Sequence, residues 1–276
     1  MIIYFSGTGN SAMVARGLHR RYYPEDAAGE KLYELSGARL LRPGNELLKI
    51  EDNELVIWVF PVHSWGVPPM VARFIDKVKC LNGEHGRHYM VCTCGDDIGR
   101  ADDQWREHIG HRSWIPRGAF SVQMPNTYVC MKGFDVDSKE LADSKLAAMD
   151  GRLDEICMKI DRGFSDSDVV RGSWAWLKTN LVFPWFITFK MSPLPFKADP
   201  ELCTRCGLCA RACPLENITM EEAENTTSNT ENEGDSKPLP KWGPACMMCL
   251  RCYHHCPAHA VKYGRHTDGK GQYRPQ

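Results

Sequence analysis

The chain has 276 residues, of which 43% are hydrophobic and 25% are charged, a composition that is ordinary for globular domains. This length allows two modest domains, and a net charge of −1 gives no reason to expect a nucleic acid as a partner. Thirteen cysteines are unusual, and eight of them lie between Cys203 and Cys256 at the short intervals of metal ligands rather than those of a disulfide framework.

Residues 1–164 alternate short apolar runs with helical segments. Strands are predicted at Ile2–Phe5, Lys31–Leu35, Leu55–Phe60, Tyr89–Thr93 and Ala119–Met124, and helices at Ser11–Arg21, Pro68–Lys79, Ala101–Ile109 and Ser138–Arg162. Because strands and helices alternate, we expect an α/β fold with a doubly wound, five-stranded parallel sheet. The first run lacks a basic segment and turns at Gly7, so we expect no signal peptide and a cytoplasmic, reducing setting.

Three loops follow the first, third and fourth predicted strands, at 6–11, 61–66 and 94–99. In a parallel sheet, ligands bind outside the carboxyl ends of the strands, so we expect one site built from these loops. Its predicted residues are Ser6, Gly7, Thr8, Gly9, Asn10 and Ser11, then Pro61, Val62, His63, Ser64, Trp65 and Gly66, and finally Thr93, Cys94, Gly95 and Asp96.

The first loop has the composition of a phosphate cradle. It joins a strand to a helix, whose first N–H groups and positive end attract a phosphate, and its hydroxyls can add hydrogen bonds. The loop has no lysine, which excludes a P-loop. A dinucleotide fingerprint over Gly7, Gly9 and Ala12, with Glu34 as the acidic residue, is the alternative to FMN. The dense hydroxyls and the short domain favour FMN.

Two cysteine runs share the spacing CxxCxxCxxxCP, which is the bacterial pattern for [4Fe–4S] clusters. They contain Cys203, Cys206, Cys209 and Cys213, and then Cys246, Cys249, Cys252 and Cys256. Structural zinc usually uses two CxxC pairs or histidine ligands, so two [4Fe–4S] clusters are the better interpretation. His254 and His255 are predicted to be surface residues rather than ligands. Ile218 and Val261 follow the two runs and are expected to pack against the clusters.

The runs resemble those of two-cluster ferredoxins, in which the fourth cysteine of each run serves the other cluster. The resemblance implies two ligand sets, one of Cys203, Cys206, Cys209 and Cys256 and one of Cys246, Cys249, Cys252 and Cys213.

Other segments resemble the flavodoxin–ferredoxin fusion family, namely Tyr4–Ser11 with Val14-Ala15, Phe60–Pro69, Met124–Tyr128 and Pro240-x-Trp242. The resemblance covers nearly the whole chain and is poorest at 36–53 and 221–237. It implies a flavodoxin-like FMN domain at 1–164, a hydrophobic connector at 165–196, a small α+β ferredoxin-like dicluster domain at 197–264 and a tail at 265–276. It also implies electron transfer between FMN and two clusters, serving redox partner proteins.

The third loop departs from the family pattern, because Asp96 and Asp97 stand where small residues are more usual. Negative charge beside a flavin is expected to lower its potential. In the second loop, His63 and Trp65 could stack on the flavin or edge it. The alternatives are a surface position for His63 and a core position for Trp65. Tyr128 is expected either to cap the flavin or to pack between the domains.

The apolar segment from Trp174 to Phe189 is shorter than the roughly 20 apolar residues of a membrane-spanning helix, and Lys178, Asn180 and Pro184 interrupt it. We therefore predict a connector whose aromatic side chains pack between domains, with a peripheral membrane contact as the alternative. The acidic stretch 221–237 is predicted to be a solvated insertion, with a docking patch for a basic partner as the alternative.

The motifs favour an intracellular electron carrier with protein partners, because they show no acid–base constellation of an enzyme. The alternative is a flavin-dependent reductase, in which the clusters feed FMN and FMN reduces a small substrate. A regulatory or sensor module would need an effector domain, and the motifs indicate none.

Overall fold

A computed structural model describes residues 1–221 and 238–274. The acidic insertion predicted at 221–237 therefore lies outside the described residues except for Glu221. The strands are β1 (Ile2–Tyr4), β2 (Leu32–Glu34), β3 (Leu47–Lys49), β4 (Leu55–Pro61), β5 (Lys79–Leu81), β6 (Arg87–Cys94), β7 (Pro116–Gln123), β8 (Ser167–Asp168), β9 (Phe196–Ala198), β10 (Ile218–Glu221), β11 (Leu239–Trp242) and β12 (Val261–Tyr263).

The α-helices are α1 (Asn10–Tyr22), α2 (Ala38–Leu41), α3 (Pro69–Lys77), α4 (Ala101–His111), α5 (Lys139–Asp161), α6 (Ala175–Leu177), α7 (Phe183–Trp185), α8 (Leu208–Ala212) and α9 (Arg251–His254). Two π-helical segments, Lys178–Val182 and Phe186–Lys190, join α6 and α7 into one helical run, which we call the connector helix, 175–190. Short 3₁₀ turns occupy Pro43–Asn45 and Gly83–His85.

Six parallel strands form the main sheet in the order β2-β1-β4-β6-β7-β8. Helices α1 and α5 cover one face and α3 and α4 the other, and each face has its own buried cluster of side chains. Burial on both faces explains why the central strands β4 and β6 read as continuous apolar runs. All five predicted strands are present. The sixth, β8, has two residues, too few for a periodic signal.

The strand order reverses at β1, which lies between β2 and β4. The connections on its two sides leave in opposite directions, and this opens a crevice at the carboxyl ends of the strands. The registers Tyr4↔Val59 and Pro61↔Thr93 bring the ends of β1, β4 and β6 to one edge. The three predicted loops therefore share that edge.

The connector helix buries only part of its aromatic side chains. Phe183 and Phe186 are buried, whereas Trp174, Trp176 and Trp185 are 79%, 57% and 44% exposed. The expectation that the aromatic residues of this segment pack between domains is wrong for Trp174 and Trp176, which are mostly exposed, whereas Phe183 and Phe186 are buried and Trp185 is partly exposed.

Beyond the connector, two small antiparallel pairs, β9–β12 and β10–β11, surround the short helices α8 and α9. The two cysteine runs fold alike, because left-handed backbone recurs at the same offset in both of them. The matching pairs are Arg205 and Met248, Gly207 and Leu250, and Glu216 and His259. The repeated cysteine spacing in the sequence thus corresponds to a repeated backbone conformation.

Candidate functional site

The first loop, Ser6–Ser11, borders a cavity of about 120 Å³, the smaller cavity, at the crevice. Gly9 adopts φ 121°, a conformation that favours glycine, and starts α1 there. The N–H of Met13 donates to the carbonyl of Gly9, so the N–H groups of the preceding helical residues have no partner within the helix. Together with the positive end of the helix, these groups fit a phosphate.

The polar side chains of this loop are buried and mostly engaged with protein. The Ser6 hydroxyl accepts the Gly9 N–H at 3.2 Å, and the hydroxyls of Ser11 and Thr93 are 2.7 Å apart. Asn10 donates from Nδ2 to the carbonyl of Pro125 at 2.8 Å, which leaves its buried Oδ1 without a partner among the described residues. An unsatisfied buried acceptor costs about 1–3 kcal/mol, so this position fits a ligand that brings a hydroxyl donor.

The second loop closes on itself as a tight turn. The backbone N–H groups of His63 and Gly66 each donate to the carbonyl of the other, at 3.0 and 3.1 Å. The imidazole of His63 lines the smaller cavity, and burial lowers the pKa of His63 to about 4, so it is neutral at pH 7. Gly66 meets Phe183, whose ring would lie 2.5 Å from a Cβ at this position.

A larger cavity of about 300 Å³, adjacent to the smaller one, lies between the second and third loops. Val62, Cys94 and Tyr128 line both cavities. The larger one is mainly apolar, and its walls include Trp65, Met131, Phe134, Val182, Trp185 and Phe186. Aromatic and aliphatic walls of this kind suit a flat, conjugated ring system.

The third loop brings one compensated and one exposed carboxylate to the larger cavity. Asp97 forms an ion pair with Lys178 at 2.6 Å, and the ammonium group also lies 5.0 Å from the centre of the Trp65 ring. Asp96 is exposed. Burial raises the pKa of the Cys94 thiol to about 12, so this side chain is an uncharged thiol at the cavity wall. The sequence predicted two negative charges beside the ligand, whereas the structure, within its described residues, leaves only that of Asp96 uncompensated.

Of the predicted cofactor-binding residues, all but Gly9 and Gly66 line one of the two cavities. The site also contains residues that the sequence did not single out, among them Pro125, Phe186, Met248 and Leu250. Phe186 lies in the apolar connector and Met248 and Leu250 lie within the second cysteine run. These segments were recognisable, but nothing in the sequence showed which side chains face the loops.

The second cysteine run is part of the cavity wall. A Cβ on Gly7 would lie 2.7 Å from the carbonyl oxygen of Cys249, so the two backbones touch. The guanidinium of Arg251 donates to the carbonyl of Gly7 at 2.8 Å and to that of Ala212 at 3.4 Å. The phosphate-type loop and the cysteine run are therefore held together by direct contacts.

The eight cysteines surround two further cavities, four around each. The proximal cysteine set, defined by its contact with the first loop, contains Cys213, Cys246, Cys249 and Cys252. The distal cysteine set contains Cys203, Cys206, Cys209 and Cys256. These groups are the two ligand sets implied by the two-cluster ferredoxins. Ile218 lines the proximal cavity and Val261 the distal one, next to the cysteines as expected.

The donor chemistry of both sets fits a cluster. Backbone N–H groups donate to the sulfur atoms of Cys213, Cys246 and Cys256 at 3.3–3.4 Å, and such bonds tune iron–sulfur potentials. Within residues 1–221 and 238–274, no three His, Cys, Asp or Glu side chains converge closely enough to hold a single metal ion. Four cysteines spread around one cavity fit a cluster, which binds each thiolate at a separate corner.

The prediction that His254 is a surface residue is wrong. Its side chain is fully buried, with Nε2 2.8 Å from the carbonyl of Thr127 and Nδ1 accepting the N–H of Tyr273 at 3.1 Å. His254 thereby ties the second cysteine run to the segment after β7. His255 is half-buried, and its Nδ1 lies 3.0 Å from the carbonyl of Arg251.

Comparison with known proteins identifies the type of domain that contains the two cysteine runs. Residues 202–261 match the family model for a 4Fe-4S dicluster domain. An uncharacterised polyferredoxin-like protein of Methanocaldococcus jannaschii is 36% identical over 69 residues, which cover 25% of this chain and 40% of that protein. Ferredoxin-1 of Rhodobacter capsulatus is 40% identical over 57 residues, which cover 20% of this chain and 86% of that ferredoxin.

Proposed function

Since the chain belongs, through residues 202–261, to the ferredoxin-like 4Fe-4S dicluster family, its C-terminal part is of an electron-transferring type, and we propose that it exchanges electrons with FMN bound at the sheet edge of the same chain. The proximal and distal cysteine sets would each hold one [4Fe–4S] cluster. FMN transfers electrons singly or in pairs, whereas each cluster takes one, so together they could convert between the two modes.

The fold and both cavities support FMN as the ligand. The strands β2-β1-β4-β6-β7 follow the 2-1-3-4-5 order of flavodoxin-like sheets, which bind FMN at the reversal of strand order. The smaller cavity offers helix N–H groups for a phosphate and the unpaired Asn10 Oδ1 for a ribityl hydroxyl. The larger cavity offers flat apolar walls for the isoalloxazine ring. One ligand uses all three features.

The observation that carries the proposal is the contact between Gly7 and Cys249. It places a cysteine of the proximal set against the loop that would hold the FMN phosphate. The two candidate cofactor sites are therefore in direct contact within one chain, as electron transfer between them would require. Cys206 of the distal set is exposed, and we propose that redox partner proteins exchange electrons there. A reductase of a small substrate has no comparable support, because FMN itself would use both cavities.

A matched pair of substitutions at Thr8 tests FMN binding. Thr8 is 7% exposed and lines the smaller cavity, so a carboxylate there would repel a phosphate dianion. We expect T8D purified anaerobically to lose most of its flavin, whereas the isosteric, uncharged T8N keeps it. Both variants should retain about eight irons per chain, since the cysteine runs are unchanged.

Flavin, iron and sulfide quantified in the same preparations decide the outcome. Equal FMN content in T8D and T8N would contradict binding at this loop. Bound NAD in place of FMN, or zinc in place of iron and sulfide, would contradict the cofactor assignment of the corresponding half of the chain.

A further inference from the structure

The outer face of the connector helix carries a row of exposed apolar side chains. Leu177, Leu181, Trp185 and Phe189 recur every fourth residue and are 42%, 54%, 44% and 70% exposed. Residues at this spacing lie along one side of a helix. Trp174 and Trp176 extend the face at its beginning and Leu194 extends it beyond its end, with 79%, 57% and 90% exposure. We call these seven side chains the connector face.

The charged residues of the connector helix itself are all cationic. From 169 to 198 the sequence contains Arg171, Lys178, Lys190 and Lys197 but no aspartate or glutamate, although the whole chain has a net charge of −1. Lys178 and Arg171 pair with acidic residues of the sheet domain. Lys190 and Lys197 are exposed at the end of the helix, and Lys190 lies 5.2 Å from the centre of the Trp185 ring.

We propose that the connector face docks on an anionic lipid bilayer and lies in its interfacial plane. A helix with Trp, Leu and Phe on one side and flanking lysines is the type that binds there, because the apolar side chains enter the acyl boundary while the lysines meet the lipid phosphates. No helix in the described part of the chain has the length and apolar character to cross a bilayer. The proposed contact is therefore peripheral.

The alternative occupant is a second copy of this chain, and two features favour the bilayer. Three of the seven side chains are tryptophan, the residue most typical of membrane–water interfaces. The exposed cations are also unaccompanied by acids in the segment, whereas a self-complementary interface between copies would bring these like charges towards each other. This inference does not depend on FMN binding.

Docking would place the candidate site at the membrane surface. An adjoining side of the same helix supplies Val182 and Phe186 to the larger cavity, and Trp185 belongs both to the cavity wall and to the connector face. The cofactor site and the bilayer would thus be separated by one helix.

Vesicle co-sedimentation of the full, anaerobically purified chain tests the proposal. We expect binding to vesicles of phosphatidylcholine with phosphatidylglycerol, with a blue shift of tryptophan emission and quenching by brominated lipids. The triple variant L177S/L181S/F189S should bind at least about tenfold more weakly, because three apolar side chains no longer enter the membrane. K190E/K197E should lose about tenfold on the anionic vesicles and little on pure phosphatidylcholine.

The matched control is L47S/L81S/I115S, which replaces three side chains of 50–51% exposure outside the connector, and it should bind like the unchanged chain. If the triple variant loses its cofactors, the vesicle binding of the single variant F189S is measured in its place, and it should again be weaker than that of the unchanged chain. Failure of the unchanged chain to bind vesicles, or an equal loss in the control, would refute the proposal. So would a dimer in light scattering that L177S/L181S/F189S converts to a monomer while vesicles bind neither form.

Discussion

Lys178 compensates one of the two carboxylates at the larger cavity, although it lies far along the chain from the loop it contacts. Its ammonium group pairs with Asp97 and faces the ring of Trp65, and both members of the pair are largely buried. A carboxylate beside a flavin disfavours the added negative charge of the reduced ring, and a paired cation offsets this effect. The sequence pointed to Asp96 and Asp97, and the structure adds a counter-ion for Asp97.

Replacing Lys178 with methionine should therefore lower the reduction potential of the bound flavin, because Asp97 would then face the ring uncompensated. The double variant K178M/D97N should return the potential towards its original value. K190M is the matched control, since it makes the same change on the exposed end of the same helix. An anaerobic redox titration followed in the flavin absorbance measures all four proteins. A K178M potential equal to that of K190M would contradict the role given to Lys178.

Individual residues were predictable from the sequence when a short spacing defines them. The eight cysteines were predictable from their spacing alone, and the structure places four of them around each of two cavities. Asp97 with Lys178 and His254 with Thr127 were not predictable, because each contact joins residues from distant parts of the chain. Such pairs depend on how the elements are packed.

A buried hydroxyl helps to fix the connector helix to the loops of the site. Thr179 is 3% exposed, donates to the carbonyl of Trp65 at 2.7 Å and accepts the N–H of Arg100 at 2.8 Å. It therefore links the second loop, the segment after the third loop and the helix that covers the larger cavity. Close packing of Gly66 on Phe183 and of Gly99 on Thr179 completes this attachment.

Thr179→Val should loosen the cover of the larger cavity and weaken FMN binding. The substitution keeps the shape of the side chain but leaves the Trp65 carbonyl and the Arg100 N–H without their partner, at a cost of about 1–3 kcal/mol. If binding loses this free energy, the affinity for FMN falls roughly fivefold to 150-fold. Fluorescence titration of the flavin-free chain with FMN measures it.

The control is T188V, on the exposed side of the same helix, where the hydroxyl donates only to the carbonyl of Pro184. It should bind FMN as the unchanged chain does. Equal affinities in T179V and T188V would show that Thr179 does not hold the cover in place.

Elements were predictable where they are long and buried on both faces. Strands β4 and β6 and the helix α5 have the expected positions to within a few residues, because their apolar patterns are continuous and Ser138 caps the helix through the N–H of Leu141. The two-residue β8, the pair β3–β5 and the π-helical segments were missed. Short elements carry too little periodicity, and a π-helix has no separate composition signal.

For the whole molecule, the sequence predicted both cofactor types and left open whether they meet within one chain. The answer depends on a contact between residues 7 and 249, which no local pattern encodes. In the structure the smaller cavity, the proximal cysteine set and the distal cysteine set form a series, because Cys249 borders the first of these and the two runs exchange their fourth cysteines. Electrons would then pass between FMN and the distal cluster through the proximal one.

Equivalent substitutions in the two runs test this order, since Cys206 and Cys249 hold the same position in their respective motifs. Each serine variant should lose its own cluster, about four irons per chain. After flash reduction of the flavin under anaerobic conditions, C206S should still pass an electron rapidly to the remaining, proximal cluster, at a rate independent of protein concentration. C249S should lose this fast phase although its distal cluster is intact. A rate that rises with protein concentration, or similar kinetics in both variants, would show that the electron does not travel through the contact between Gly7 and Cys249.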